Sequence, residues 1–247
     1  MSISFLALLL AGAAAGGFIN GLAGFGTALF ALGFWLQIMP PPQAVAISVV
    51  LSVSTGLQGV WIVRHSIKDN PRRLARFLLP AMVGVPLGVA ALAVLDARVL
   101  KLVIAGFLIL YGGFFTLRSA LPQFERPTPA GDSLVGFLGG VLGGAASLSG
   151  ALPTMWCAMR PWPKSETRAV LQPFNVLVLG FAAANFAWQG IYTGQILLLI
   201  AIALPVAMVA AQGGIMIFKR LDDSLFRRLL ISLMLISGCI LALREFF

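Results

Sequence analysis

Apolar and polar positions alternate on the scale of whole segments. Eight apolar stretches can be drawn, at about 3–37, 43–63, 75–95, 99–117, 133–159, 169–189, 194–218 and 226–245. A helix rises about 1.5 Å per residue and the hydrocarbon layer of a bilayer is about 30 Å thick, so about 20 apolar residues make one crossing. Six stretches suit a single crossing. The first is too long for one. Both it and the fifth hold a central run of glycines, Gly21-Leu22-Ala23-Gly24-Phe25-Gly26 and Gly139-Gly140-Val141-Leu142-Gly143-Gly144. These runs predict two helical hairpins broken at glycine. In the fifth stretch each arm is expected to have about 12 residues, roughly 18 Å of helix. The arms of the first are longer and are compatible with tilted full spans.

The pattern occurs twice. Gly17-Phe18, Gly21 and Gly24 match Gly136-Phe137, Gly140 and Gly143 at an offset of 119. Leu79-Pro80, Gly88, Leu95-Asp96 and Gly112 match Leu204-Pro205, Gly213, Leu221-Asp222 and Gly238 at 125 to 126. Order kept over such a length points to an internal repeat. It divides the chain into a first membrane repeat (1–118), a polar, proline-rich linker (119–131) and a second membrane repeat (132–247), together one integrated membrane domain.

Charge then fixes orientation. Residues are 60% hydrophobic and only 10% charged, against about 25% charged in soluble domains. That excludes an ordinary soluble enzyme, a disordered chain and a collagen-like fibre. There are 17 Lys and Arg against 8 Asp and Glu, a net charge of +9. The surplus lies between apolar stretches, so it reads as positive-inside bias and not as a nucleic-acid surface. If every stretch crosses once, the basic residues divide evenly between the two sides. If stretches one and five each turn back at their glycines, fourteen fall on one side and three on the other. The second topology has the cytoplasmic bias, with basic loops inside and both termini outside. Three full spans per half is an odd number, so the halves insert in opposite orientation. The expected fold is an all-α polytopic membrane protein built as an inverted repeat, each half a glycine-broken hairpin plus three transmembrane helices, a plan common among transporters. The first stretch has no basic n-region before it and is read as membrane sequence, not as a cleaved signal.

The glycine runs admit two readings. One is close helix packing by small residues. The other is a break whose second arm begins inside the membrane, presenting free N–H groups and the positive end of a helix dipole to an anion. Neutral donors flank the runs: Asn20 and Thr27 beside Gly24 in the first, Ser147, Ser149 and Gly150 after the second. Stretches two and six occupy equivalent places and carry polar residues on one face, Ser48, Ser52 and Thr55 on one and Gln172 and Asn175 on the other. The candidate substrate-binding set is therefore Asn20, Gly24, Thr27, Ser147, Ser149, Gly150, Gln172 and Asn175. All eight acids lie in loops or at segment ends, so nothing supports coupling through a mid-span carboxylate. Arg168 opens stretch six. It reads first as a positive-inside residue and second as the guard of an anion vestibule. Trp35, Trp61, Trp162 and Trp188 lie near segment ends, where interfacial anchors are expected. One histidine, His65, and two cysteines, Cys157 and Cys239, give no metal spacing. No catalytic set, metal or cofactor is expected. The expected partners are a small anionic substrate and the lipid bilayer.

These motifs resemble the TauE/SafE-type sulfite exporter family. The likeness rests on Gly17-Phe18-Ile19-Asn20-Gly21-Leu22-Ala23-Gly24-Phe25-Gly26, then Pro40 and Ala44-Val45-Ala46. It continues through Gly84-Val85-Pro86-Leu87-Gly88 to Gly112-Gly113, and through Leu148-Ser149-Gly150-Ala151-Leu152-Pro153 and Arg168-Ala169 in the second half. The resemblance implies a plasma-membrane permease for small anions: sulfite, sulfonates and related organosulfur or carboxylate compounds. One departure is plain: where the family often has a triple glycine, this chain reads Gly26-Thr27-Ala28, which implies a stiffer first hairpin. A passive anion channel and a membrane assembly protein remain the alternatives.

Overall fold

The computed structural model describes residues 2–69, 71–94, 98, 102, 105–106, 109, 113, 124 and 128–246. The fourth apolar stretch, 99–117, and most of the 119–131 linker lie outside the described residues. The described helices are α1 (Ile3–Ala23), α2 (Thr27–Trp35), α3 (Pro41–Asp69), α4 (Pro71–Val94), α5 (Pro129–Ala146), α6 (Ala151–Ala158), α7 (Lys164–Trp188), α8 (Gly194–Arg220) and α9 (Asp223–Phe246). No strand occurs among the described residues. The chain is thus an all-α polytopic membrane protein. Among the described residues five helices are long and apolar enough to cross a bilayer: α1, α3, α4, α7 and α8.

Both hairpins are broken, but unequally. In the first, α1 has 21 residues and α2 only 9, so α2 is about 14 Å long and cannot be a full span. In the second, α5 has 18 residues and α6 has 8, not two equal arms. The reason lies in what the glycines face. Gly136, Gly140 and Gly144 sit one turn apart on α5, and a Cβ on any of them would strike the α4 backbone at Phe77, Ala81 or Val85. These glycines keep the helix and let α4 approach. The chain leaves α5 only at Ser147, which caps it at φ 58°. In the first hairpin the two roles divide within one run. A Cβ on Gly17 or Gly21 would strike the α8 backbone at Ala207 or Ala211, whereas Gly24 (φ 86°) and Gly26 (φ 95°) make the break. Positive φ at both is the conformation that glycine adopts without a steric penalty.

Packing follows a crossed pattern. α1 lies on α8, α5 lies on α4, and α3 lies on α7 between them. The two left-handed caps, Gly24 and Ser147, are 123 positions apart, one helical turn more than the 119 at which the glycines align in sequence. Gly17 and Gly140 share that spacing, and they meet Ala207 and Ala81 respectively. Each hairpin is closed at its far end by an indole. Trp35 Nε1 donates to the Leu9 carbonyl at 3.1 Å, and Trp156 Nε1 donates to Asp132 at 2.7 Å. Trp35 is therefore a core residue with no exposed surface, not an interfacial anchor, whereas Trp61 and Trp188 are largely exposed.

Candidate functional site

The two breaks touch. A Cβ on Gly150, the residue that precedes α6, would come within 2.5 Å of Phe25 Cβ, in the middle of the first break. Neither α2 nor α6 has a side chain capping its N-terminus. The first backbone N–H groups of a helix have no intrahelical partner; α2 opens with such groups where the hairpins meet, whereas in α6 the Ala151 N–H turns to the Leu148 carbonyl at 3.3 Å and Pro153 has no N–H to offer.

α3 and α7 line this junction with one polar stripe each. On α3, Ser48, Ser52 and Thr55 recur at helical spacing and are all buried. The Asn20 side-chain amide donates to Thr55 Oγ1 at 2.6 Å and to the Ser52 carbonyl at 3.0 Å, joining the end of α1 to the middle of α3. Ser48 pairs with Ser147 at 3.2 Å, joining the same helix to the second break. On α7, Arg168, Gln172 and Asn175 recur at i, i+4 and i+7. Asn175 Oδ1 accepts from the Ser149 hydroxyl at 2.5 Å. Gln172 Nε2 donates to the Gly56 carbonyl at 3.1 Å, and its Oε1 accepts from Arg168 Nε at 3.2 Å. Gly59 leaves room for this: a Cβ there would lie 2.5 Å from Gln172 Cδ.

All eight residues singled out from the sequence are buried. They fall into two groups. Asn20, Gly24 and Gln172 sit at the first break; Ser147, Ser149, Gly150 and Asn175 sit at the second. Thr27 lies at the start of α2, where its carbonyl would be 2.8 Å from a Cβ on Gly16 of α1. Much of their hydrogen-bonding capacity is spent inside the protein. Three of their buried polar atoms are not: Asn20 Oδ1, Thr27 Oγ1 and Asn175 Nδ2 have no partner among the described residues. A buried polar atom without a partner is costly, and such atoms mark places where a further group completes the network.

Arg168 was underrated by sequence. It is fully buried, not a solvated residue of a basic loop. Its guanidinium donates to the Gly21 carbonyl at 2.6 Å and the Leu22 carbonyl at 3.3 Å, at the C-terminal end of α1, and stacks 3.9 Å from the Phe218 ring centroid. Among the described residues no carboxylate pairs with it. Its neighbours behave differently. Lys164 reaches the Leu221 carbonyl, and Glu166 pairs with Arg73 at 2.7 Å, both partly exposed. In sequence only the i, i+4 and i+7 register of Arg168 with Gln172 and Asn175 signals the difference. A second ionic cluster closes the other hairpin: Arg160 lies 3.2 Å from buried Asp132, with Arg76 3.9 Å away. No group of three metal-binding side chains occurs among the described residues.

The sequence model of the family described as "Sulfite exporter TauE/SafE" matches residues 8–241. This chain belongs to that family. It is accordingly a membrane transporter and not an enzyme. A curated relative, the "Probable sulfite/organosulfonate exporter TauE" of Cupriavidus necator, is 25% identical over 202 residues, covering 81% of this chain and 79% of the relative. No solved structure matches. As a TauE/SafE protein, the chain places its glycine-rich motifs at two helix breaks and at the helix contacts that hold them.

Proposed function

We propose that this TauE/SafE protein carries small sulfur oxyanions, namely sulfite, organosulfonates or related organosulfur and carboxylate compounds, across the plasma (inner) membrane. The substrate sits between the two breaks, near the middle of the bilayer. The observation that carries this reading is Arg168: a whole positive charge, fully buried, held only by neutral groups among the described residues, beside the break at Gly24. Burying an uncompensated charge is expensive, and an anion is what offsets it. The spare donors Thr27 Oγ1 and Asn175 Nδ2, with the N–H groups opening α2, suit an oxyanion that must also leave. The crossed packing of α1 on α8 and α5 on α4, each hairpin lying on a helix of the opposite half, supports an inverted repeat; in alternating access the hairpin of each repeat then moves together with the helix of the other repeat that it packs on. The basic loops then face the cytoplasm and both termini lie outside.

A thermal-stability panel on the purified protein tests the site. A ligand present at about 100 times its Kd and bound only by the folded form adds about 2.7 kcal/mol. Sulfite or a small sulfonate is expected to raise the melting temperature, and Ser149→Ala or Asn175→Ala to abolish the rise. A shift with cations alone, or none with any anion, contradicts the proposal.

A further inference from the structure

The charge balance at the breaks narrows the substrate further, on the reading just given. At each break the C-terminal end of one helix meets the N-terminal start of the next: α1 meets α2, and α5 meets α6. The half charges of the two dipole ends, about −0.5 and +0.5, nearly cancel. Arg168 is then the one whole charge at the junction among the described residues. The groups packed around it are neutral: the Gly21 and Leu22 carbonyls of α1, Gln172 of its own helix and the Phe218 ring of α8. Lys164 shares that ring, 5.3 Å from its centroid, and is turned to the Leu221 carbonyl. No acid lies inside any apolar stretch to add a negative charge.

We infer that the site is selective for singly charged oxyanions. A sulfonate or hydrogensulfite brings one negative charge, and with Arg168 the loaded site is neutral. Sulfate or the sulfite dianion brings a second charge, and among the described residues no second cation at the junction meets it. An aminoalkanesulfonate brings an ammonium into a site that already holds a cation and has no carboxylate. Both cases leave an uncompensated ion in a low-dielectric interior, the arrangement that buried ion pairs exist to avoid. Neutral donors do not discriminate in this way, since they serve one or two charges alike.

The experiment is flux of labelled methanesulfonate into proteoliposomes of the intact protein, with sulfate, sulfite and a zwitterionic aminoalkanesulfonate as competitors. Sulfate and the zwitterion are expected to compete at least about 100-fold less well than unlabelled methanesulfonate. Competition by sulfite is expected to weaken as pH rises through the range in which its monoanion becomes the dianion, while methanesulfonate flux itself stays level. Arg168→Lys keeps the discrimination and Arg168→Gln, if folded, loses it. Equal competition by sulfate and methanesulfonate overturns the inference while leaving anion transport standing. Absence of flux for every anion overturns the transport reading as well. The wild-type competition series decides the matter even if Arg168→Gln does not fold.

Discussion

Replacing Gly24 with Ala is expected to damage the protein in two separable ways. The first is local. Gly24 has φ 86°, and an L-residue held in left-handed backbone costs about 1–2 kcal/mol. The second is transmitted. The new Cβ would lie 2.8 Å from Gln172 Oε1, so Gln172 must move. It is pinned at both ends, to Arg168 Nε at 3.2 Å and to the Gly56 carbonyl at 3.1 Å. A neutral hydrogen bond is worth about 0.5–1.5 kcal/mol and one to a charged group about 1.5–3. Loss of both adds about 2–4.5 kcal/mol. Gly190 supplies the control. It too has positive φ, 70°, but a Cβ there meets nothing within 4 Å, so Gly190→Ala should show the local cost alone. At about 2–4 °C per kcal/mol, Gly24→Ala should melt several degrees below Gly190→Ala in detergent and should lose anion flux, which Gly190→Ala keeps. In a double-mutant cycle, Gly24→Ala and Gln172→Ala should be strongly non-additive, because the second removes what the first displaces. If the two alanine variants melt together, or if the cycle is additive, the account of this break is wrong.

Other outcomes follow from the same geometry. Gly21→Ala should lower the melting temperature sharply, since its Cβ would meet the Ala211 carbonyl of α8 and backbone cannot yield, whereas Gly180→Ala, with open space around it, should be close to neutral. Arg160→Met should cost about 3–5 kcal/mol by leaving Asp132 buried without its closest cation, while Glu166→Gln, which breaks a partly exposed pair, should cost less than about 1 kcal/mol; chemical denaturation of the two variants in parallel compares them. The Leu225 N–H and then the Ser224 hydroxyl hold the Asp222 carboxyl below its ordinary range at the start of α9. Its contribution is therefore full above the usual carboxylate pKa and is lost as pH falls through the lowered folded value, so Asp222→Asn should flatten the acid limb of melting temperature against pH.

Much of this was legible because a membrane simplifies the grammar. Twenty apolar residues with charged ends specify a helix almost unaided, and α3, α4, α7 and α8 lie where the apolar stretches put them. The polar stripes on α3 and α7 were readable for the same reason, since serine, glutamine and asparagine at helical spacing stand out in such surroundings. The glycines were harder. Glycine serves close packing and backbone reversal equally well, and only the facing element tells the two apart. Gly140 meets Ala81 and stays helical; Gly24 meets Gln172 and does not. The second break passed to Ser147, a residue that no propensity marks for left-handed backbone. The spacing of 119 between the matched glycines therefore differs by one turn from the 123 between the two caps. Arg168 was misjudged because charge counting treats every basic residue near a segment end as solvated. Two of its three hydrogen bonds go to the end of α1, 146 and 147 positions earlier in the chain, and no local pattern announces contacts of that range.

The most direct test of the central claim locates the anion itself. Crystals of the protein grown with a bromoalkanesulfonate would give a bromine anomalous peak. The peak is expected between Gly24–Thr27 and Ser147–Gly150, with the sulfonate facing Arg168 and the spare amide of Asn175. A well-occupied peak elsewhere in the membrane region, with the two breaks empty, would contradict it.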